Sequence, residues 1–384
     1  MAKQISPKEI ARAAWTHGVL IGLCLTLWPA ACSQTTPWET YNEAGVQAYE
    51  QGHYAEAEKQ WMAALEEAEK FGPQDPHLVT SLTNLANLYR AQHRYAEAES
   101  LYQRALEIRE KALGPNHLDV ANSLTNLANL YLAQHRYGEA EPLYQRALEI
   151  CDKALGPDYL WVVQFLYNLG KLYHNQGRYG EAEPLYQRAL AIREKVKGPE
   201  HPDVASGLTI LAEIYHNQRR YEEAESLNKR ALEIYEKALG PNHPQVATTL
   251  SRLGLMYPVQ GRYGEAEPFF KRALAIREKT LGSDHPDVAL SLSHLAMINY
   301  YQDQYAEAEA LYQRALEICD KALGPDYPYV TRDLTNLADL YRVQHRYAEA
   351  EPLYQRVLQI REIHPLERSG GDSFFAHPTP SSGL

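Results

Sequence analysis

The chain has 384 residues, 45% hydrophobic and 23% charged, the proportions of a folded soluble protein. Its 38 basic against 49 acidic side chains leave a net charge of −11, which repels a phosphate backbone and argues against non-specific nucleic-acid binding. Four cysteines are too few for a disulfide framework, and 22 Gly with 22 Pro fall far short of a collagen-like or low-complexity chain. Tyrosine is the outlier. Its 28 copies against 6 Phe and 5 Trp point to one short motif copied many times.

The chain opens on a basic stretch in which Lys3, Lys8 and Arg12 face only Glu9. An apolar run of 11 residues follows, Gly18 to Trp28, then Pro29-Ala30-Ala31-Cys32. That layout is an export signal, and the run falls short of the ~20 residues that a membrane-spanning helix needs. Its ending resembles the lipobox of bacterial lipoproteins, in which small residues precede a cysteine that is lipidated and becomes the new N-terminus. Ala30, Ala31 and Cys32 match, while Pro29 stands where that pattern has Leu or a similar residue. The resemblance implies a signal peptide over residues 1–31, a lipidated N-terminus and linker over 32–37, and a lipid anchor on Cys32. It also implies a place in a bacterial cell envelope (outer membrane or periplasm), and Ser33 after the cysteine resembles outer-membrane sorting. The alternative is ordinary secretion or an uncleaved N-terminal anchor. Removing residues 1–31, whose net charge is +2, leaves a mature chain at −13.

From residue 38 to 361 one unit repeats. Tyr-x-Glu-Ala-Glu begins at Tyr54, Tyr95, Tyr137, Tyr179, Tyr221, Tyr263, Tyr305 and Tyr347, spaced by 41 and then six times by 42 residues. A fixed period of this size marks a solenoid and overrides any domain count taken from length. Between the marks, Leu82, Leu85, Ala86 and Tyr89 follow i, i+3, i+4, i+7, one face of a helix. Ala98, Leu101, Tyr102, Ala105 and Leu106 have the same spacing in the next segment. Ala91-Gln92-His93-Arg94 joins the two, and Gly114-Pro115-Asn116-His117 ends the pair, Gly permitting a left-handed cap and Pro blocking continuation. Each period predicts helix A, a tight turn, helix B and a connector. The first copy, from Trp38 to Gly72, keeps Gly45 and Ala48 but is otherwise polar, as an end cap requires. Pro258 and Asn299, the latter in place of a recurrent Tyr, predict local irregularity in repeats six and seven. After Arg361 the pattern stops, and Ser369-Gly370-Gly371 with Pro378-Thr379-Pro380 predict a disordered tail over 362–384.

These residues resemble the tetratricopeptide repeat: Leu82, Leu85, Ala86, Tyr89, Tyr95, Ala98, Tyr102 and Ala105 stand in its core order. The longer period, with Tyr-x-Glu-Ala-Glu-Pro-Leu-Tyr-x-Arg-Ala-Leu and Leu-Gly-Pro-x-His-Pro-x-Val, is similar to the kinesin-light-chain type. The resemblance implies an all-α fold, a right-handed α-solenoid of about eight helix pairs, acting as a non-enzymatic scaffold for a protein or peptide. The same array serving as a regulatory or delivery subunit for a catalytic partner is the alternative.

Candidates for chemistry are few. His77, His117, His201, His243 and His285 recur in connectors. Equivalent residues of stacked pairs lie roughly 10 Å apart, whereas zinc ligands must sit ~2 Å from one centre. A helix-capping or plain connector role is therefore expected of them, with no metal or other cofactor. Cys151 and Cys319 are four repeats apart, too distant to pair, and are expected as free thiols. Pro142, Pro184, Pro268 and Pro352 fall inside helix B, and three of them have Gly138, Gly180 or Gly264 four residues back, as a helix start adapted to proline would. The many Glu residues are expected on solvated faces. No nucleophile has a matching base.

One constellation remains. In the family, helix A lines the concave groove. Carried onto the second copy, that face is Thr80, Thr83, Asn84, Asn87, Arg90 and Ala91, whose spacing keeps them on one side of the helix. Along the array the first column is Asn84, Asn126, Asn168, Ile210, Arg252, His294 and Asn336. The second is Asn87, Asn129, Lys171, Glu213, Leu255, Met297 and Asp339. Asparagine carries both donors and an acceptor, which suits the backbone of an extended peptide. Asn84, Asn87, Arg90, Asn126, Asn129, Asn168, Lys171, Arg252, His294 and Asn336 are the expected partner contacts. Leu255, Met297, Tyr300 and Tyr301 add an apolar stretch.

Overall fold

The computed structural model describes residues 35–364. The signal segment, Cys32 and residues 365–384 of the tail lie outside the described residues. Between them run eight helix pairs: α1 Pro37–Glu50 with α2 Tyr54–Glu69, α3 Pro76–Ala91 with α4 Tyr95–Leu113, α5 Leu118–Ala133 with α6 Tyr137–Leu155, and α7 Val162–Asn175 with α8 Tyr179–Lys197. The series continues with α9 Pro202–Asn217 and α10 Tyr221–Leu239, α11 Pro244–Met256 and α12 Tyr263–Leu281, α13 Pro286–Tyr301 and α14 Tyr305–Leu323, and α15 Thr331–Val343 and α16 Tyr347–Ile363. Each helix packs on its sequence neighbours, so the array is an all-α solenoid in which every pair covers the next. The last helix ends two residues beyond the expected Arg361.

The connectors show why each pair starts and stops where it does. Gly114, Gly156, Gly198, Gly240, Gly282 and Gly324 hold φ between 85° and 94°, which ends helix B. Three residues on, His117, His201, His243 and His285 are N-caps whose Nδ1 accepts the backbone N–H two residues ahead, at 3.1–3.2 Å. The capping expectation holds for these four. His77 is the exception. Asp75 occupies the cap position in its repeat, accepting the His77 N–H at 2.8 Å, and His77 stands two residues further along.

The core uses small residues opposite aromatic ones. Ala86, Ala128 and Ala212 are fully buried, as are Tyr102 and Tyr144. In repeat one the aromatic is Trp61, and a Cβ on Gly45 would stand 2.5 Å from its ring, so Gly45 is what admits the indole. Pro258 does break the pattern: α11 stops at Met256 and Pro258–Gln260 forms a 3-10 turn. Asn299 does not, because α13 runs unbroken. Losing an aromatic there changes packing rather than backbone, and Tyr301 stacks on Tyr263 at 4.7 Å between the same repeats. The four prolines also leave helix B intact. A Cβ on Gly138 or Gly180 would meet nothing, and Ala348 fills that place ahead of Pro352, so the ring does not require glycine.

A polar clamp crosses five of the seven junctions. Arg178, in the turn before Tyr179, lies 4.3 Å over the Tyr173 ring and donates to Glu181 of its own repeat and to Glu141 of the preceding one. The Tyr173 hydroxyl donates to the same Glu141 at 3.0 Å. Arg94, Arg136, Arg220 and Arg346 repeat the pattern with Glu58, Glu99, Glu183 and Glu309. The motif is thereby divided: its first Glu fixes the turn, and its second ties one repeat to the next. This corrects the expectation that the Glu residues lie only on solvated faces. Arg262 comes no nearer than 3.9 Å to Glu225. Repeat seven has Gln304 and Asn299 instead of Arg and Tyr, and Glu267 pairs with Lys271.

The clamp makes stability depend on pH. Hydrogen bonds from Arg178 and Arg346 hold the Glu141 and Glu309 carboxyls below their ordinary value of 4.5. A group whose folded pKa is depressed binds more protons when unfolded, so its contribution is complete above ~4.5 and fades as pH falls below it. Glu141→Gln is expected to cost about 1–2 kcal/mol at pH 7, a charged hydrogen-bond pair reduced for partial exposure. The gap in melting temperature to wild type is expected to narrow as the pH falls below 4.5. A gap that stays constant as the pH falls would remove the carboxylate charge from the account.

Candidate partner-binding groove

The two helix-A columns occupy distinct environments. Asn84, Asn126, Asn168 and Asn336 are half-buried on the helix side away from the Leu/Ala/Tyr packing face. The Asn84 amide donates to Asn42 at 2.9 Å, and Asn168 accepts from Gln164 at 3.0 Å. These contacts leave part of each amide's bonding capacity unused.

The second column is tied to the fold. Asn87 accepts the Tyr102 hydroxyl and Asn129 the Tyr144 hydroxyl, both at 2.6 Å, and Asp339 accepts Tyr354 at 2.7 Å. The helix-A residue and the helix-B aromatic thus satisfy one another. Where the column residue is Leu255, the aromatic is Phe270, which has no hydroxyl to satisfy.

Charged members differ again. Lys171 is exposed and Arg90 half-buried. Arg252 pairs with Glu213 across a repeat at 3.1 Å. His294 turns inward: it is 8% exposed, its ring centroid lies 4.9 Å from that of Phe270, and burial pushes its imidazole down to about 3. A side chain so buried offers little to a groove ligand. In the apolar stretch, Leu255 and Met297 pack in a cluster with Phe270, and Tyr300 lies 5.3 Å from Tyr301, so these side chains already serve the junction of repeats six and seven.

Cys151 and Cys319 are free and buried, and burial raises both thiols to about 11, which makes them inert. Among the described residues no group of three His, Cys, Asp or Glu could hold a metal ion, and no helix is long and apolar enough to cross a membrane.

The family profile of the tetratricopeptide repeat matches in seven overlapping stretches, from 39–111 to 287–363. The chain belongs to the tetratricopeptide repeat family. No curated protein matches. Among solved structures, the chain is similar to the apo form of the quorum sensor NprR from B. thuringiensis, with TM-score 0.60 and 14% identity over 84% of this chain and 87% of that one. It is also similar to a putative kinesin light chain with nearly identical repeats from Podosopora anserina, at 28% identity, TM-score 0.47, 54% of this chain and 96% of that one. BtubC (BKLC) from P. vanneervenii gives 20% identity, TM-score 0.49, 70% of this chain and 95% of that one.

Proposed function

We propose that this tetratricopeptide array is a non-enzymatic scaffold that binds a protein or peptide along the helix-A groove and is held to a bacterial envelope membrane by a lipid on Cys32. The observation that supports the groove most is the recurrence of Asn84, Asn126 and Asn168 at one 42-residue register, half-buried and with amide capacity to spare. A peptide backbone supplies matching donors and acceptors at intervals along its length. The test is affinity capture from membranes followed by mass spectrometry, comparing wild type with the triple asparagine variant discussed below. A partner recovered equally by both would move the binding surface elsewhere.

Cys32→Ser isolates the membrane half of the reading. Lipid labelling is expected to vanish and membrane retention to fall, since a thiol is the attachment atom and a hydroxyl does not replace it. Labelling that persists in the variant would exclude Cys32 as the anchor.

A further inference from the structure

Repeat four differs from its neighbours at the point where helix A begins. Tyr159 stands where repeats three, five, six and seven have the capping His, and α7 begins two residues later, relative to the connector Gly, than α9 does. The uncapped turn leaves Trp161 58% exposed. Beside it is a pocket of about 550 Å³, lined among others by Asn122, Thr125, Asn126, Trp161, Gln164 and Arg193.

Two groups in this pocket lack what a folded protein usually gives them. Thr125 is 9% exposed, and its hydroxyl has no hydrogen-bond partner. Arg193 donates through Nη1 to the Tyr167 hydroxyl at 2.9 Å and the Asp203 carbonyl at 3.0 Å, yet among the described residues no carboxylate lies within ion-pair distance of it. Its counterpart two repeats on, Arg277, is closed in by Ser251 and Ser291. Gly207 takes the place of such a serine here, and a Cβ on it would stand 3.2 Å from the Tyr167 hydroxyl, so glycine keeps the arrangement open. Lys197 is paired with Asp203, which leaves the pocket one net positive charge in a chain at −11.

We propose that this rim pocket binds an acidic saccharide, a sugar unit that carries a carboxylate. The free edge of Arg193 takes the carboxylate by charge-assisted hydrogen bonds, and the indole of Trp161 takes the apolar face of the ring. Asn122, Asn126 and Gln164 also line the pocket and offer donors and acceptors to the sugar hydroxyls. A peptide would instead need partners strung along the groove columns. The pocket shares Asn126 with the groove but does not rest on the groove reading.

Calorimetric titration of the full chain with trigalacturonate, maltotriose and the tripeptide Ala-Ala-Asp tests the assignment. Saturable binding of trigalacturonate is expected, weakened at least tenfold by Arg193→Met and at least tenfold by Trp161→Ala. Maltotriose is expected to bind at least tenfold more weakly than trigalacturonate. No saturable binding, binding that Trp161→Ala and Arg193→Met leave unchanged, or tighter binding of Ala-Ala-Asp would each overturn the proposal. Loss of pocket binding with partner capture intact leaves the groove reading standing, and the converse holds.

Discussion

Tyr144→Ala is expected to cost ~3–5 kcal/mol, the range for truncating a fully buried aromatic. The ring is 1% exposed within the main hydrophobic cluster, and its hydroxyl is the donor that satisfies Asn129. Truncation therefore opens a cavity and also strands a half-buried amide oxygen. Tyr144→Phe separates the two effects: it keeps the ring, strands the oxygen, and is expected to cost ~1 kcal/mol. In a solenoid each repeat is supported only by its neighbours, so the damage is expected to be local. Hydrogen exchange should show protection lost in α5 to α8, with α13 to α16 close to wild type. Equal loss across all eight repeats would mean that the array unfolds as one unit.

The period and the helix pairs are legible because each rests on local chemistry repeated eight times, and the caps because theirs recurs at most connectors. A positive-φ glycine, an N-cap histidine and a proline at the first helical position announce themselves within four residues. The clamp is not legible locally, although Arg precedes Tyr-x-Glu-Ala-Glu in six of the eight copies. Its partner Glu lies 37 residues earlier, and only stacking brings the two together. His294 shows the opposite failure. Its column position is that of Asn84, but an imidazole has an apolar face that Phe270 covers, so chemistry at one register moved a side chain from groove to core. In the second column, likewise, the first duty of Asn87, Asn129 and Asp339 is to helix B, a tie that residue type alone does not show. The pocket at Trp161 left a faint mark in the sequence, the exchange of a connector His for Tyr159, and its meaning depends on the late start of α7.

Replacing Asn84, Asn126 and Asn168 together with Ala is expected to weaken partner binding while leaving the fold in place. Each amide is half-buried and carries at most a contact to another amide side chain, Asn42 or Gln164. Losing those contacts costs little, and alanine returns a few tenths of a kcal/mol per site as the better helix former. A partner backbone bonded at all three sites would lose ~0.5–1.5 kcal/mol at each. The sum, ~1.5–4.5 kcal/mol, corresponds to roughly 10- to 1,000-fold in affinity. Asn87→Ala with Asn129→Ala provides the internal contrast, because those oxygens accept Tyr102 and Tyr144. That pair is expected to lower the melting temperature measurably, where the first triple does not. If the triple variant melts well below wild type, the first column is structural too. If it melts normally and captures the partner undiminished, the amides face solvent alone and the partner binds another surface.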